Sequence, residues 1–408
     1  MPHTDSNSHG RVDDVSKIEA VNAIKKRGAS TEVGREGDDG SEEGGNGRKK
    51  VKVTGNTTGL EDLLDISELC GAQEIDTRFE AIANVILCDY HLVVESSQEV
   101  GSRTETRYEV LELEFYLWMD DSHEDPFTHG SEEQRVSGRW YFHRSPKRST
   151  DSHRTATSLS GYRGGSRKGL DLTIGRRHAS TSRLSPSRNI RGGILLRTLR
   201  RTSDVKVICG PSLLVDEILK VSRASSISEL VERTWDSSTG RTAFRPEIAT
   251  TDSRHGTHLT FRPRGRTTER PTIYRSPRIG LDLSHPGTTP TRTHPRLQFL
   301  PRTYRFFVRP ELLDKGRPQT FIGVLHANQC ATPSNAKTLR SKVTQLMGIK
   351  QTTYDKYYGD YTTGLDKGAI RTYVGVAGKG ASSSPGTYLR MVGALERFLG
   401  ASSLLHTE

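Results

Sequence analysis

The sequence predicts an α+β fold, and three observations carry that prediction. Residues 108–117, Tyr-Glu-Val-Leu-Glu-Leu-Glu-Phe-Tyr-Leu, alternate with the two-residue period of a strand. Leu111, Leu113, Phe115 and Leu117 share one face, and Tyr108, Val110, Glu112, Glu114 and Tyr116 share the other. Residues 77–87 instead place Phe79, Ile82, Ala83 and Ile86 at helical spacing, behind Thr77 as a cap. The later apolar runs are short and separated by loops rich in Arg, Ser, Thr and Gly.

Composition limits how much of the chain is globule. At 408 residues it is long enough for two or three average domains, yet only 32% is hydrophobic and 7% aromatic, with 39 Gly and 17 Pro. One core with long loops or disorder is expected. The formal charge is +11, and within residues 139–201 sixteen Lys/Arg stand against two acids, Asp151 and Asp171. So concentrated a basic patch points to a polyanion, and nucleic acid is the commonest. Arg-Ser tracts are also typical of an unstructured insertion without a partner. Cys70, Cys88, Cys209 and Cys330 lie far apart with no Cys-x-x-Cys pair, supporting neither a disulfide framework nor zinc. No apolar run approaches the ~20 residues of a membrane span. The N-terminus is acidic and lacks an apolar signal core, which argues against secretion and mitochondrial import and leaves a soluble, reducing compartment.

In chain order, residues 1–58 read as a disordered tail. Within it, Gly47-Arg48-Lys49-Lys50-Val51-Lys52-Val53 is a basic cluster of the type nuclear import receptors read. Residues 60–69 form an acidic helix candidate, residues 77–87 a second helix, and residues 90–95 a strand leading through a loop to the strand at 108. Glutamate is a poor strand former, and Glu112 and Glu114 on one face beside Tyr116 are an odd choice for a plain solvated edge, although this stretch alone reads equally as a half-exposed strand followed by an ordinary loop. An acidic loop follows, carrying His123 and His129 around Asp125-Pro126. Next come an aromatic strand, Gly138-Arg139-Trp140-Tyr141-Phe142-His143, and a hydrophilic insertion over residues 145–160. The glycine-rich stretch 162–175 offers Arg163, Arg167 and Lys168 as phosphate-grade charge where glycines permit close backbone approach. Its spacing is not that of a Walker loop, and a plain glycine-rich hairpin is the alternative.

A second basic loop, residues 176–191, leads to a buried strand over 192–201 that Arg197 interrupts. A charge there must be paired, and Glu112, Glu114 or Asp171 would serve. Cys209-Gly210-Pro211-Ser212 turns into a helix, residues 221–272 read mostly as loop, and short strands resume over 274–281 and 304–310. Beyond Leu312 a helix over 335–347, a Gly/Tyr-rich section and a last helix over 387–399 are expected, with no internal repeat.

Taken in order, Leu113-Glu114-Phe115-Tyr116-Leu117, Trp140-Tyr141-Phe142-His143, Leu195-Leu196-Arg197-Thr198-Leu199, Gly210-Pro211-Ser212, Pro277-Arg278-Ile279-Gly280 and Arg305-Phe306-Phe307-Val308-Arg309 resemble the alkyladenine (3-methyladenine) DNA glycosylase family. The resemblance implies a mainly antiparallel, curved sheet with flanking helices, a catalytic domain over residues 60–312 and a C-terminal extension over 313–408. It implies a monofunctional DNA N-glycosylase of base excision repair, a hydrolase that flips a modified purine out of the duplex. Carried over by motif, Glu114 is the general base. Tyr116 is one stacking wall, and the loop histidine the other: His129, which a glycine follows, or His123. Tyr141 and His143 occupy the family's aromatic strand, and Arg197 places the flipped nucleotide. Tyr162 is the candidate minor-groove wedge, with Arg163, Arg167 and Lys168 on DNA. The expected partner is double-stranded DNA, with no metal, cofactor or membrane, for a nuclear monomer. Asp171 stands where the family has an asparagine that screens purine substituents, and an aspartate accepts but does not donate unless protonated. Two other readings stay open. One is a non-enzymatic nucleic-acid-binding protein in which Glu114 merely pairs with Arg197; the other is an enzyme on a nucleotide or RNA glycosidic bond.

Overall fold

The alternation of residues 108–117 becomes the spine of the sheet. In the computed structural model, which describes residues 59–99, 102–145, 161–177, 188–235, 241–244, 256–265, 269–331 and 335–400, these residues belong to β2 (Ser102–Met119). The tail with its basic cluster, and the insertion but for Ser145, lie outside the described residues. Strand β1 (Tyr90–Glu99) pairs with the first part of β2, from Leu92↔Tyr108 to Glu99↔Ser102. The later strands are β3 (His123–Glu124), β4 (Trp140–Phe142), β5 (Leu170–Ile174), β6 (Ile190–Arg201), β7 (Val207–Cys209), β8 (Gly256–Pro263), β9 (Tyr274–Ser276) and β10 (Arg305–Phe307). All join one 10-stranded sheet in the order β4-β5-β6-β2-β1-β8, with β10 joining β2 to β9. The named pairings are antiparallel. The fold is therefore mixed α and β, with a mainly antiparallel open sheet flanked by helices.

One face of β2 is core. Leu111, Leu113, Phe115 and Leu117 are buried, and Phe79 stacks on Phe115 with ring centroids 4.2 Å apart. Phe79 comes from α2 (Ala72–Asn84), which runs on as a wider turn, Val85–Asp89. This helix begins five residues before Thr77: Gly71 is its N-cap, and Glu74 accepts from the Cys70 amide at 2.8 Å. The expected helix over 60–69 is the single turn α1 (Leu60–Leu63). Asp65 draws the Ser67 amide (3.0 Å) and hydroxyl (2.7 Å) onto its own carboxylate, a local bond that competes with the helix.

The stretch 221–272 hides a strand. Strand β8 pairs with β1 from Tyr90↔Pro263 to Ser97↔Gly256, and its apolar side rests on only Leu259 and Phe261, too few to stand out among Thr, His and Arg. Helices α3 (Pro211–Val221), α4 (Ile227–Glu229) and α5 (Pro295–Phe299) flank the sheet. After Leu312 the chain does not leave the globule. Helices α6 (Arg317–Ala331), α7 (Ala336–Met347), α8 (Gln351–Lys367) and α9 (Pro385–Leu399) follow, and the described residues form one compact unit. A Cβ at Gly323 of α6 would lie 2.5 Å from the Arg275 carbonyl of β9, so helix and sheet touch backbone to backbone there. The Gly/Tyr-rich section is α8, whose buried Tyr354, Tyr361 and Gly364 face α9 or α6.

Candidate active site

Residues paired across antiparallel strands point to the same face of a sheet. Tyr141↔Asp171, Asp171↔Leu195, Leu195↔Glu114, Glu114↔Arg305 and Arg305↔Ser276 therefore form one row across β4, β5, β6, β2, β10 and β9. It lies opposite the Phe79–Phe115 core. Glu112 and Tyr116, two residues either side of Glu114, share this polar face.

At one end of the row two glutamates meet two arginines. Glu112, Glu114 and Arg305 have no exposed surface, and Arg197 is 6% exposed. Arg197 donates from Nε to Glu112 Oε1 and from Nη1 to Glu114 Oε2, both at 3.1 Å. Arg305 Nε donates to Glu112 Oε1 at 2.6 Å, while its other nitrogens reach Ser276 Oγ and Thr320 Oγ1 at 2.9 Å. Burial alone would raise the Glu112 carboxyl, but Arg305, Arg197 and the Thr198 hydroxyl hold it below the usual carboxylate range. Register explains how Arg197 arrives. The β2–β6 pairing shifts on both sides of Glu112, passing from Val110↔Leu199 through Glu112↔Thr198 to Leu113↔Leu196, so Arg197 has no Cα partner. Such irregularities re-aim a side chain. The expectation that Arg197 takes a carboxylate partner is met by Glu112 and Glu114, not by Asp171.

Three donors converge on Glu114. Ile279 N–H reaches Oε1 at 2.7 Å, and Arg197 and the Tyr116 hydroxyl reach Oε2 at 3.1 and 2.9 Å. Tyr116 is partly exposed, with the Arg278 guanidinium 4.5 Å from its ring centre. Burial and the Glu114 carboxylate push its phenol well above the usual value, so the hydroxyl stays a donor.

The other end is an imidazole–carboxylate pair. His143 Nε2 lies 2.9 Å from Asp171 Oδ1, and Gln134 Nε2 donates to Asp171 Oδ2 at 3.3 Å. Both oxygens of Asp171 are thus bonded within the protein, and Gln134 is itself fully buried, its Oε1 accepting from the Ser131 amide at 3.4 Å. Two glycines make the room: a Cβ at Gly169 would lie 2.6 Å from the His143 ring, and one at Gly193 would lie 2.7 Å from Asp171 Oδ2. His129 sits edge-on to His143, ring centroids 4.7 Å apart, and is partly exposed. Burial, with His143 as neighbour, pushes His129 down to about 4, so it is neutral near pH 7. Tyr141 is buried with its ring centroid 6.1 Å from that of His143, and burial raises its phenol.

The structure separates the two loop histidines. His123 is buried on the core side, with Nδ1 3.0 Å from the Leu117 carbonyl and Nε2 2.8 Å from the Tyr304 hydroxyl, against Phe79 and Phe299. It does not join Tyr116 and His129. Tyr162 is not a free wedge either: it packs against Phe142, and the Arg144 guanidinium lies 4.0 Å from its ring centre. Arg163 Nε donates to the Arg144 carbonyl at 3.0 Å. Arg167 is exposed, and Lys168 pairs with Asp216 of α3. Sequence reasoning assigned no role to Arg305, Gln134 or the buried Arg278–Asp125 pair. Arg305, beside the apolar run Phe306-Phe307-Val308, carried the signal that singled out Arg197, a charge against a strand-like apolar run; Arg278 and Gln134 carried none.

Among the described residues, no helix is long and apolar enough to cross a membrane, and no group of His, Cys, Asp and Glu could hold a metal ion. No family model matches the chain. It is similar to an uncharacterized protein of Acanthamoeba polyphaga mimivirus, 27% identical over 173 residues, which cover 42% of this chain and 66% of that protein.

Proposed function

We propose that the protein is a monofunctional DNA glycosylase that flips a modified purine and hydrolyses its N-glycosidic bond. The observation that carries this reading is the row itself: Glu114, clamped by Arg197 and Ile279 N–H, shares one polar sheet face with His143–Asp171, and the partly exposed aromatic side chains Tyr116 and His129 belong to the same region. In this reading the flipped base stacks between Tyr116 and His129, offsetting the few kcal/mol of unstacking. Its arrival breaks the Tyr116–Glu114 hydrogen bond and leaves Arg197 as the donor on Glu114 Oε2, whose other lone pair is then open to a water. Glu114 then takes a proton from the water that attacks the sugar carbon. The exposed Arg167 meets a phosphate.

One observation favours a second reading, a non-enzymatic nucleic-acid-binding protein. Glu114 is fully buried and hydrogen-bonded on both oxygens, as a purely structural partner of Arg197 would be. The two diverge in single-turnover incubation with end-labelled duplexes carrying hypoxanthine, ethenoadenine or methylated purines, followed by hot alkali. As an enzyme, wild type gives strand breaks and Glu114→Gln loses at least about 100-fold in rate while keeping salt-sensitive DNA binding. Breaks by neither protein, with binding by both, select the second reading; breaks at equal rates remove Glu114 as the base.

A further inference from the structure

Away from the sheet, one pair of helices carries a concentrated positive charge. Residues 335–358 hold Lys337, Arg340, Lys342, Lys350 and Lys356 against a single acid, Asp355, a local +4. Arg340 of α7 pairs with Asp355 of α8. The four lysines are exposed, and among the described residues none of them forms an ion pair. Such a surface suits a polyanion.

Beneath these lysines the backbone is a helix, a three-residue turn and a second helix. Helix α7 ends where Gly348 takes the left-handed conformation (φ 59°), and the amides of Gly348 and Ile349 donate back to the Gln345 and Thr344 carbonyls at 3.2 and 3.1 Å. Helix α8 then starts at Gln351, with Lys350 as its N-cap. Apolar spacing seats both helices. Val343 and Met347 of α7 and Tyr354 of α8 are buried, and Ile349 of the turn and Tyr357 pack against the same core. From α6, Phe321 meets Tyr354 and Tyr357 edge-on with ring centroids 5.5 Å away, and Arg317 Nη2 donates to the Met347 carbonyl at 2.9 Å. The turn is therefore held in place by a third helix.

With its tyrosines turned inward, α8 presents Gln351, Thr352, Asp355, Lys356 and Gly359 to solvent along one face. Gly359 weakens the helix, and no packing asks for it, since nothing lies within 4 Å of a Cβ there. It leaves the outer face of the helix open to close approach.

We propose that α7 and α8 form a helix-turn-helix that binds duplex DNA, the outer face of α8 entering the major groove and the lysines of α7 and the turn meeting phosphates. A short glycine-bearing turn, and a second helix whose first residues reach base edges, are the features of that motif. The major groove of DNA, about 12 Å wide, admits an α-helix, whereas that of duplex RNA is too narrow for side chains to read. Gln351 matches the N6 and N7 edge of adenine, and Lys356 the O6 and N7 edge of guanine. Single strands need aromatic platforms, and the exposed tyrosine of α8, Tyr358, already stacks on Tyr354 with ring centroids 5.6 Å apart. The inference goes beyond the glycosylase reading and does not rest on it: the helices grip duplex DNA whether or not Glu114 is a base.

The test is selection by the full-length protein from a pool of duplexes with a randomised segment, followed by anisotropy titrations of the selected duplex and a scrambled one at several salt concentrations. Wild type enriches a motif of a few base pairs and prefers it at least about tenfold over the scrambled duplex. Gln351→Ala combined with Lys356→Ala loses that preference and still binds the scrambled duplex. Lys337→Ala, Lys342→Ala and Lys350→Ala together weaken both duplexes alike and lower the slope of log affinity on log salt by about 2–3. All five positions are exposed, and an unchanged thermal melt shows that each variant is folded. Base release is no part of these readouts, so failure of either reading leaves the other standing. No enriched motif with wild type, tighter binding of the corresponding single strand, or a preference that survives loss of Gln351 and Lys356 overturns the proposal.

Discussion

At Gly193 an added methyl would meet Asp171 Oδ2 at 2.7 Å and Gln134 Nε2 at 2.9 Å, and at Gly169 it would meet the His143 ring at 2.6 Å. Alanine at either position overpacks a sealed polar contact, and we expect each to lower stability by about 1–3 kcal/mol in denaturant titration. Gly164→Ala, where nothing lies within 4 Å of the new atom, should stay within about 0.5 kcal/mol of wild type. Equal effects at all three would refute the steric account. A second residue-scale expectation concerns Arg305: Arg305→Met strips one of the two cations from the buried Glu112 and should cost about 3–5 kcal/mol. These roles were half legible. Gly169 was visible but read as room for a ligand, and Gly193 only as part of a buried strand; that the room is filled by His143 and Gln134 depends on side chains arriving from other elements. His123 and His129 looked alike in one loop, and only the packing of His123 on Tyr304 removed it from the polar face.

At the scale of elements, α6, α8 and α9 enclose a small polar seam. The Tyr361 hydroxyl donates to Glu396, and His326 Nε2 lies 3.1 Å from Tyr361 Oη and 3.8 Å from Glu396. Burial raises Glu396 from 4.5 to about 7, so the folded state keeps a proton that the unfolded chain loses. Stability from this group therefore falls as pH rises from 4.5 to 7, by about 3 kcal/mol in total. Burial lowers His326 from 6.5 to about 4, so the unfolded chain takes a proton that the folded state refuses. Its contribution rises between pH 4 and 6.5 by a similar amount, about 3 kcal/mol. The two slopes nearly cancel in the wild type. Thermal melts against pH should show a rising limb unmasked by Glu396→Gln and a falling limb unmasked by His326→Leu; two parallel curves would rule out the compensation. None of this was readable beforehand. Helix α8 was taken for a Gly/Tyr-rich section, because Gly359 and Gly364 lower helix propensity. Its packing on α9 overrides them: a Cβ at Gly364 would lie 2.2 Å from the Arg390 carbonyl, so glycine is what lets the two helices meet.

Over the whole molecule, the C-terminal helices complete the globule that the polar face belongs to. Thr320 of α6 holds Arg305, Gly323 sits on the Arg275 backbone, and Phe321, Ile322, Val324 and Leu325 are buried. A chain ending at Leu313 should accordingly lose the single cooperative denaturant transition of the full protein. A cooperative transition in the truncated chain would show that residues 60–312 stand alone.

What the sequence determined by itself was local: that β2 has an apolar face and a face bearing Glu112, Glu114 and Tyr116, that α7 and α9 are helices, and that Arg197 needs a counter-charge. Period-two and period-3.6 patterns and the penalty for a lone buried charge operate over a few residues. The partners were decided only in three dimensions. Glu114 meets Arg197 at a separation of 83 residues and Ile279 at 165, and Glu112 meets Arg305 at 193. Those meetings depend on strand register, and register here turns on the shift around Glu112, which no short pattern encodes.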